Sequence, residues 1–227
     1  MPEVKKWAMD VRMSFQKTGM AKFISHLDTV RLITRSMKRA CVPIWFTEGF
    51  NPHAFLTFAM PLSLGFESLC ETVDFRLMEE LDLNELKERI NNALPADITV
   101  KEIYVYDSLP SDIRWAEYKI IFNNPDDILL ETAENKLSAD EILVLKKAKQ
   151  GRKKVEKEVN IKEHIKSFEL NKEDGKLVLN TVLSSGTSMN INPMLLIGAL
   201  VKDTETDEYD VDIIKIESYT DDMKVFR

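Results

Sequence analysis

The order of hydrophobic periods along this 227-residue chain predicts an α+β protein of two ferredoxin-like (split βαβ) units, each an antiparallel sheet with helices on one face. Three observations predict it. Stretches of period two and period 3.6 follow one another as β-α-β-β-α-β in the first half. A turn-rich break, Asp107-Ser108-Leu109-Pro110-Ser111, then interrupts the pattern. Beyond it the same kind of order resumes, with one extra hairpin. The expected domains are residues 1–110 and 111–227, the second carrying an inserted basic hairpin. No short-period sequence repeat is evident.

The elements follow in order. Trp7–Lys17 alternates Met9, Val11, Met13 and Phe15 with polar residues and reads as a strand. Thr18-Gly19 turns the chain, and Ala21–Ile24 is expected to be extended. Ser25 suits a helix N-cap, with Asp28 three residues on, close to a capping box. The helix runs to about Ala40, with Leu27, Val30, Ile33 and Met37 expected on its inner face, and Pro43 prevents its continuation. Ile44–Thr47, Phe55–Ala59 and Leu69–Leu77 read as strands, Leu83–Leu94 as an amphipathic helix and Ile98–Tyr106 as a strand.

In the second half, Trp115–Phe122 is a strand and about Asp126–Leu137 a helix. Glu141–Lys149 and Arg152–Asn160 form a hairpin turning at Gln150-Gly151. A short helix near Ile161–Ile165 leads to a second hairpin, Ser167–Leu170 with Leu177–Leu183, turning at Asp174-Gly175. Asn192-Pro193 opens a helix to about Lys202, and Tyr209–Tyr219 closes as a strand.

Composition excludes several classes. Hydrophobic residues at 44% and charged residues at 30% are enough to build a core, so the chain is not disordered. No apolar run approaches the ~18 residues that span a bilayer, and Met1–Lys6 is not followed by a signal-type apolar stretch, so a cytoplasmic protein without a membrane partner is expected. Two cysteines, Cys41 and Cys70, supply neither a zinc ribbon nor an iron–sulfur set, and no glycine-rich phosphate loop is present. No metal and no cofactor is therefore expected on this chain. Net charge is −7, yet residues 1–60 hold nine Lys/Arg against four Asp/Glu. A local basic face on an acidic protein is expected there.

Five constellations carry candidate chemistry. On the helix Ser25–Ala40, opposite its apolar stripe, lie Arg31, Arg35, Lys38 and Arg39, with Lys17 and Lys22 just before it. Guanidinium groups so spaced clamp phosphates, although a charged helix face is more often a solvated one. His26, at the helix start, is favoured as a neutral imidazole, a candidate acid or base; the ordinary alternative is a bond to backbone. The loop Glu48-Gly49-Phe50-Asn51-Pro52-His53 has strong turn chemistry and is expected to shape a pocket with Ser25, Asp28 and Glu71; it could direct His53, a second weak catalytic candidate, to the same surface. A structural loop with Phe50 and Phe55 in the core is the plainer alternative. The hairpin Lys146–Lys154 has six cations in nine residues, among them Lys149, Arg152 and Lys153, and suits a phosphate backbone as well as it suits solubility. Ser184-Ser185-Gly186-Thr187-Ser188 is a weaker anion-loop signal.

Ser25-His26-Leu27-Asp28-x-x-Arg31-x-x-x-Arg35-x-x-x-Arg39-Ala40, then Gly49-Phe50-Asn51-Pro52-His53, Pro61-Leu62-x-Leu64-Gly65 and Glu71-x-x-Asp74 together resemble the radical SAM-linked protein family, a bacterial domain of unknown function. The resemblance is specific over about Phe15–Asp74. It implies a radical SAM protein as partner, which would carry the iron–sulfur chemistry. The element order also looks like that of Cas6-type RNA-processing endonucleases, some of which carry a functional histidine where His26 falls. The expected function is an accessory, substrate-presenting and RNA-binding protein, without catalysis of its own, for tRNA or rRNA modification. The alternatives are a metal-independent endoribonuclease and a protein-interaction module for the radical SAM partner.

Overall fold

A computed structural model describes residues 6–150, 153–187 and 189–227, with side chains at 147–150 and 153–156 left out of the description. It is a mixed α+β chain with mostly antiparallel pairing and four α-helices among the described residues. Two compact units divide it. The first is Met1–Asp112 together with Val225–Arg227, and the second is Ile113–Lys224.

The first unit contains β1 (Met9–Lys17), α1 (His26–Arg39), β2 (Leu56–Phe58), β3 (Glu67–Leu77), α2 (Leu83–Asn91) and β4 (Ile98–Tyr104). β1 lies between β4 and β3, and β2 pairs with β3, each pair antiparallel. Alternation along the strands sends Val11, Met13 and Phe15 of β1 and Val73, Phe75 and Leu77 of β3 to one face. There they share a core with Ile33 and Met37 of α1 and Leu86 and Ile90 of α2. Ser25 caps α1 by accepting from the Asp28 N–H at 3.2 Å, and Asp82 caps α2 by accepting from Asn84 and Glu85.

Three local expectations are corrected. Residues Gly19–Phe23 form a 3-10 turn, not an extended segment, because Gly19 takes φ 54 and the turn closes through the Ala21 and Ile24 N–H groups. Ile44–Thr47 makes isolated bridges instead of a strand. Leu27 is 66% exposed: the buried stripe of α1 is Thr29, Ile33, Ser36 and Met37, and Leu27, four residues before Arg31, falls on the opposite, outward row of the helix.

The opposite face of the first sheet is built on charge. Arg12 and Asp74 are cross-strand partners, and the guanidinium grips the carboxylate with Nε at 2.6 Å and Nη2 at 2.9 Å. Arg12 also donates to the Ser108 hydroxyl and carbonyl, and its plane lies between the rings of Tyr106 and Phe226 at 4.3 and 4.2 Å. Arg12 is wholly buried, so the ion pair depends on those extra partners to offset desolvation. Asp107–Ser111, expected as a linker, is thus part of the packing of this unit through Ser108.

The second unit contains β5 (Trp115–Phe122), α3 (Leu129–Ser138), β6 (Leu143–Gln150), β7 (Lys153–Asn160), β8 (Ile165–Glu173), β9 (Lys176–Ser184), α4 (Pro193–Val201) and β10 (Val211–Tyr219). Its sheet runs β10-β5-β9-β8, all antiparallel, and β6 and β7 pair as a separate hairpin. Asn192 caps α4 ahead of Pro193, as expected.

Asp74→Ala leaves the Arg12 guanidinium buried and unpaired, so we expect a loss of about 3–5 kcal/mol in urea unfolding. Arg12→Met with Asp74→Leu removes both charges and recovers most of that loss. A double variant no more stable than Asp74→Ala would refute this account of the pair.

Candidate functional site

α1 presents its charged side to an open groove of about 590 Å³. Asp28, Arg31, Leu32, Arg35 and Arg39 line one side, and Ala93, Leu94 and Pro95, in the connection after α2, line the other. Arginines at intervals of four stack along one face of a helix, which is why one groove receives all three. Their engagements differ. Arg31 donates to Asp28 Oδ1 at 3.0 Å, an exposed pair of small net worth that a ligand can replace. Arg39 donates to the Ala93 carbonyl at 2.6 Å and to Ser36 Oγ at 2.9 Å, so it bridges the two walls without being neutralised. Arg35 has no ion pair among the described residues and is exposed. The Ser25 hydroxyl, followed by Arg31, holds the Asp28 carboxyl below the usual carboxylate range, so Asp28 stays ionised and offsets only one of the three cations.

The other candidate residues are dispersed. Lys38 leaves the groove and sits 5.6 Å over the Phe46 ring. Lys22 pairs with Glu67 at 3.6 Å and lies beside Phe23. Of the hairpin cations, Arg152 and the side chains of Lys149 and Lys153 lie outside the described residues; a hairpin forms as expected, but Gln150 pairs with Lys153 and so belongs to the strand, not to the turn. The loop from Glu48 to His53 is exposed and does not line the groove. Phe50, which the plainer alternative put in the core, is 108% exposed, because Gly49 takes φ 135 and turns the following residue outward.

Lys17, His26 and Glu71 meet elsewhere, in a narrow cavity of about 10 Å³ with Phe15, Thr29, Phe58 and Leu62. That volume suits a single water. A register shift in β1 between Phe15 and Lys17 keeps Lys17 on the core side, where its ammonium donates to the Ile24 carbonyl at 3.0 Å. Ser68 Oγ donates to Glu71 at 2.8 Å. Burial pushes the Lys17 amine below its ordinary value, and the Glu71 carboxylate partly restores it. His26 stands edge-on to Phe58 at 5.2 Å, whereas His53 Nδ1 bonds Thr47 Oγ1 and the Asn51 carbonyl. The two imidazoles have separate surroundings. Among the described residues no three or more His, Cys, Asp or Glu side chains are grouped to hold a metal ion, and no helix is long and apolar enough to cross a membrane.

The far wall, Ala93-Leu94-Pro95, was missed from sequence, and nothing in those residue types points to it. The exposure of Leu27 was also missed; its signal was an apolar residue in a helix-starting context.

The Lys17 burial has a testable sign. The unfolded chain holds this proton with the ordinary value of 10.5 and the folded chain less tightly, so burying the charged amine costs stability at lower pH, and that cost is relieved as pH rises from the lowered value toward 10.5. We expect the gap in urea midpoint between the parent chain and Lys17→Met to change in favour of the parent across that alkaline window. Parallel pH profiles would contradict it.

No curated protein matches the sequence. Likeness to solved structures is remote. One chain of a crystal structure of a Cbf5-Nop10-Gar1 complex is 8% identical, with TM-score 0.48 over 94% of this chain and 54% of that chain, so the present chain spans about half its length. An unknown protein from Galdieria sulphuraria is 12% identical, with TM-score 0.27 over 90% of this chain and 95% of that one. A family model matches residues 11–193, most of the sequence and all of the groove and cavity, and by it the chain belongs to the family described as an uncharacterized protein conserved in bacteria, DUF2344.

Proposed function

We propose that this chain is an accessory RNA-binding protein that presents a substrate to a radical SAM enzyme, with the groove of Arg31, Arg35 and Arg39 as its phosphate track. One observation carries the reading: three guanidinium groups share an open groove with a single carboxylate, and among the described residues Arg35 has no ion pair. Four helical residues rise about 6 Å, a step of the same order as that between neighbouring phosphates on a strand. Arginine suits this use because its planar fork meets phosphate oxygens in pairs. A net charge of −7 over the whole chain opposes general coating of polyanions and confines attraction to the basic face.

The radical SAM partner rests on the motif resemblance from Ser25 to Asp74. With two cysteines in the sequence, the iron–sulfur cluster belongs on that partner. We also read both units as split βαβ folds: the order β4-β1-β3-β2 in the first and β10-β5-β9-β8 in the second places strands in the same sequence of last, first, third and second. The endoribonuclease alternative has less support, because His26 packs on Phe58 while His53 is bonded to its own loop.

Filter binding with tRNA and rRNA fragments at two salt concentrations tests the groove. We expect affinity to fall with salt, and Arg35→Ala to weaken binding across sequences and lower the salt slope by about one. Salt-independent binding, or equal affinity for the Arg31→Ala/Arg35→Ala variant, rules the reading out.

A further inference from the structure

The segment between α1 and β2 has no part in the groove, yet it is a built projection. The Thr47 N–H donates to the His53 carbonyl at 2.8 Å, the Phe55 N–H to the Trp45 carbonyl at 3.2 Å, and Phe46 bridges Ala54. Trp45 to Phe55 is therefore a short hairpin with its tip at Gly49–Pro52. Its stem is braced. Trp45 packs against Trp7 at 5.2 Å and Phe55 at 5.7 Å, and the Arg76 guanidinium lies 3.5 Å over Trp7 and 4.1 Å over Phe55 while pairing with Asp10. Lys6 ties to Glu48 at 2.6 Å, and Thr47 Oγ1 accepts the His53 N–H at 3.1 Å. On this fixed stem stand two solvated rings, Phe46 at 38% exposure and Phe50 at 108%.

We propose that this hairpin is a stacking finger for the bases of single-stranded RNA. The inference rests on the phosphate-track reading and deepens it by naming the form of RNA bound. Phe50, 108% exposed at the end of this braced stem, adds little to the core and offers its ring to solvent. Phe46 connects the finger to the basic surface, since Lys38 lies over its ring and stands one turn beyond Arg35 on the same helix. Cations that track a backbone beside aromatic platforms are the combination that holds single strands; in a duplex the bases are already stacked and the rings have nothing to receive.

The full chain is tested with a short single-stranded RNA carrying 2-aminopurine and with the same sequence annealed into a duplex. We expect stacking to quench 2-aminopurine in the single strand. Phe50→Ala is expected to weaken single-strand binding about fivefold or more, to relieve the quench and to leave the salt slope unchanged. Phe50→Trp restores affinity, and duplex affinity is unaffected by either change. Because Phe50 is wholly exposed, neither variant should alter the unfolding midpoint. Phe50→Ala and Phe46→Ala variants that bind the single strand as the parent does, while Arg35→Ala binds weakly, overturn the finger and leave the phosphate track standing; they assign the exposed rings to a protein partner. Absence of binding to either RNA overturns both.

Discussion

The docking of α1 on its sheet is the constraint from which the groove follows. Ile33 and Met37 are fully buried with Thr29 and Ser36, which fixes the rotation of the helix about its axis. Once those four positions face the core, 31, 35 and 39 must face away from it, one above another. Two fully buried side chains of this size contribute several kcal/mol, at roughly 1.5–3 kcal/mol each. The cost of gathering three like charges is met by that burial, not by the arginines. The Ser25 cap and the Asp28 carboxylate at the helix start fix where the row begins.

The sheet beneath is amphipathic in an unusual sense. One face is hydrocarbon, and the other carries the Arg12–Asp74 pair, enclosed by Tyr106, Ser108 and Phe226. Such a pair contributes little net stability, but it tolerates only one register of β1 against β3, because a slip of one residue leaves both charges buried alone. The register in turn positions Lys17, Ser68 and Glu71 at the end of the core under the first turn of α1. The polar cavity and the arginine groove thus lie on opposite sides of the same helix start, one closed and water-sized, the other open.

Charge is therefore used in two ways in the first unit. Buried ions are matched and serve specificity, whereas surface arginines are left partly unmatched. Arg35 is free of ion pairs among the described residues, and Arg31 holds only an exposed carboxylate. Unspent donors along the exposed face of α1, a helix whose Lys38 lies over the half-exposed ring of Phe46, are the features on which the proposed RNA-binding reading stands.

Much of the architecture was legible without coordinates. Alternation marked β1, β3, β5 and β10 to within a few residues, Ser25 and Asn192 marked two helix starts, and Asp174-Gly175 marked a hairpin turn, because each of these is set by local sterics and hydrogen bonding. The arginine spacing likewise forecast a shared helix face. What local sequence could not decide was which surface each polar group would meet. Lys17 and Lys22 look alike in sequence, yet a register shift buries one and leaves the other at Glu67. Leu27 has the spacing of a core residue but falls on the outward row of α1 with Arg31, and Phe50 looks like a core anchor but is turned into solvent after Gly49. The opposite wall of the groove comes from residues more than fifty positions away. Periodicity is a property of neighbours along the chain and was determined by the sequence alone; burial, pairing and the closure of a groove depend on partners distant in sequence, and only the tertiary structure decided them.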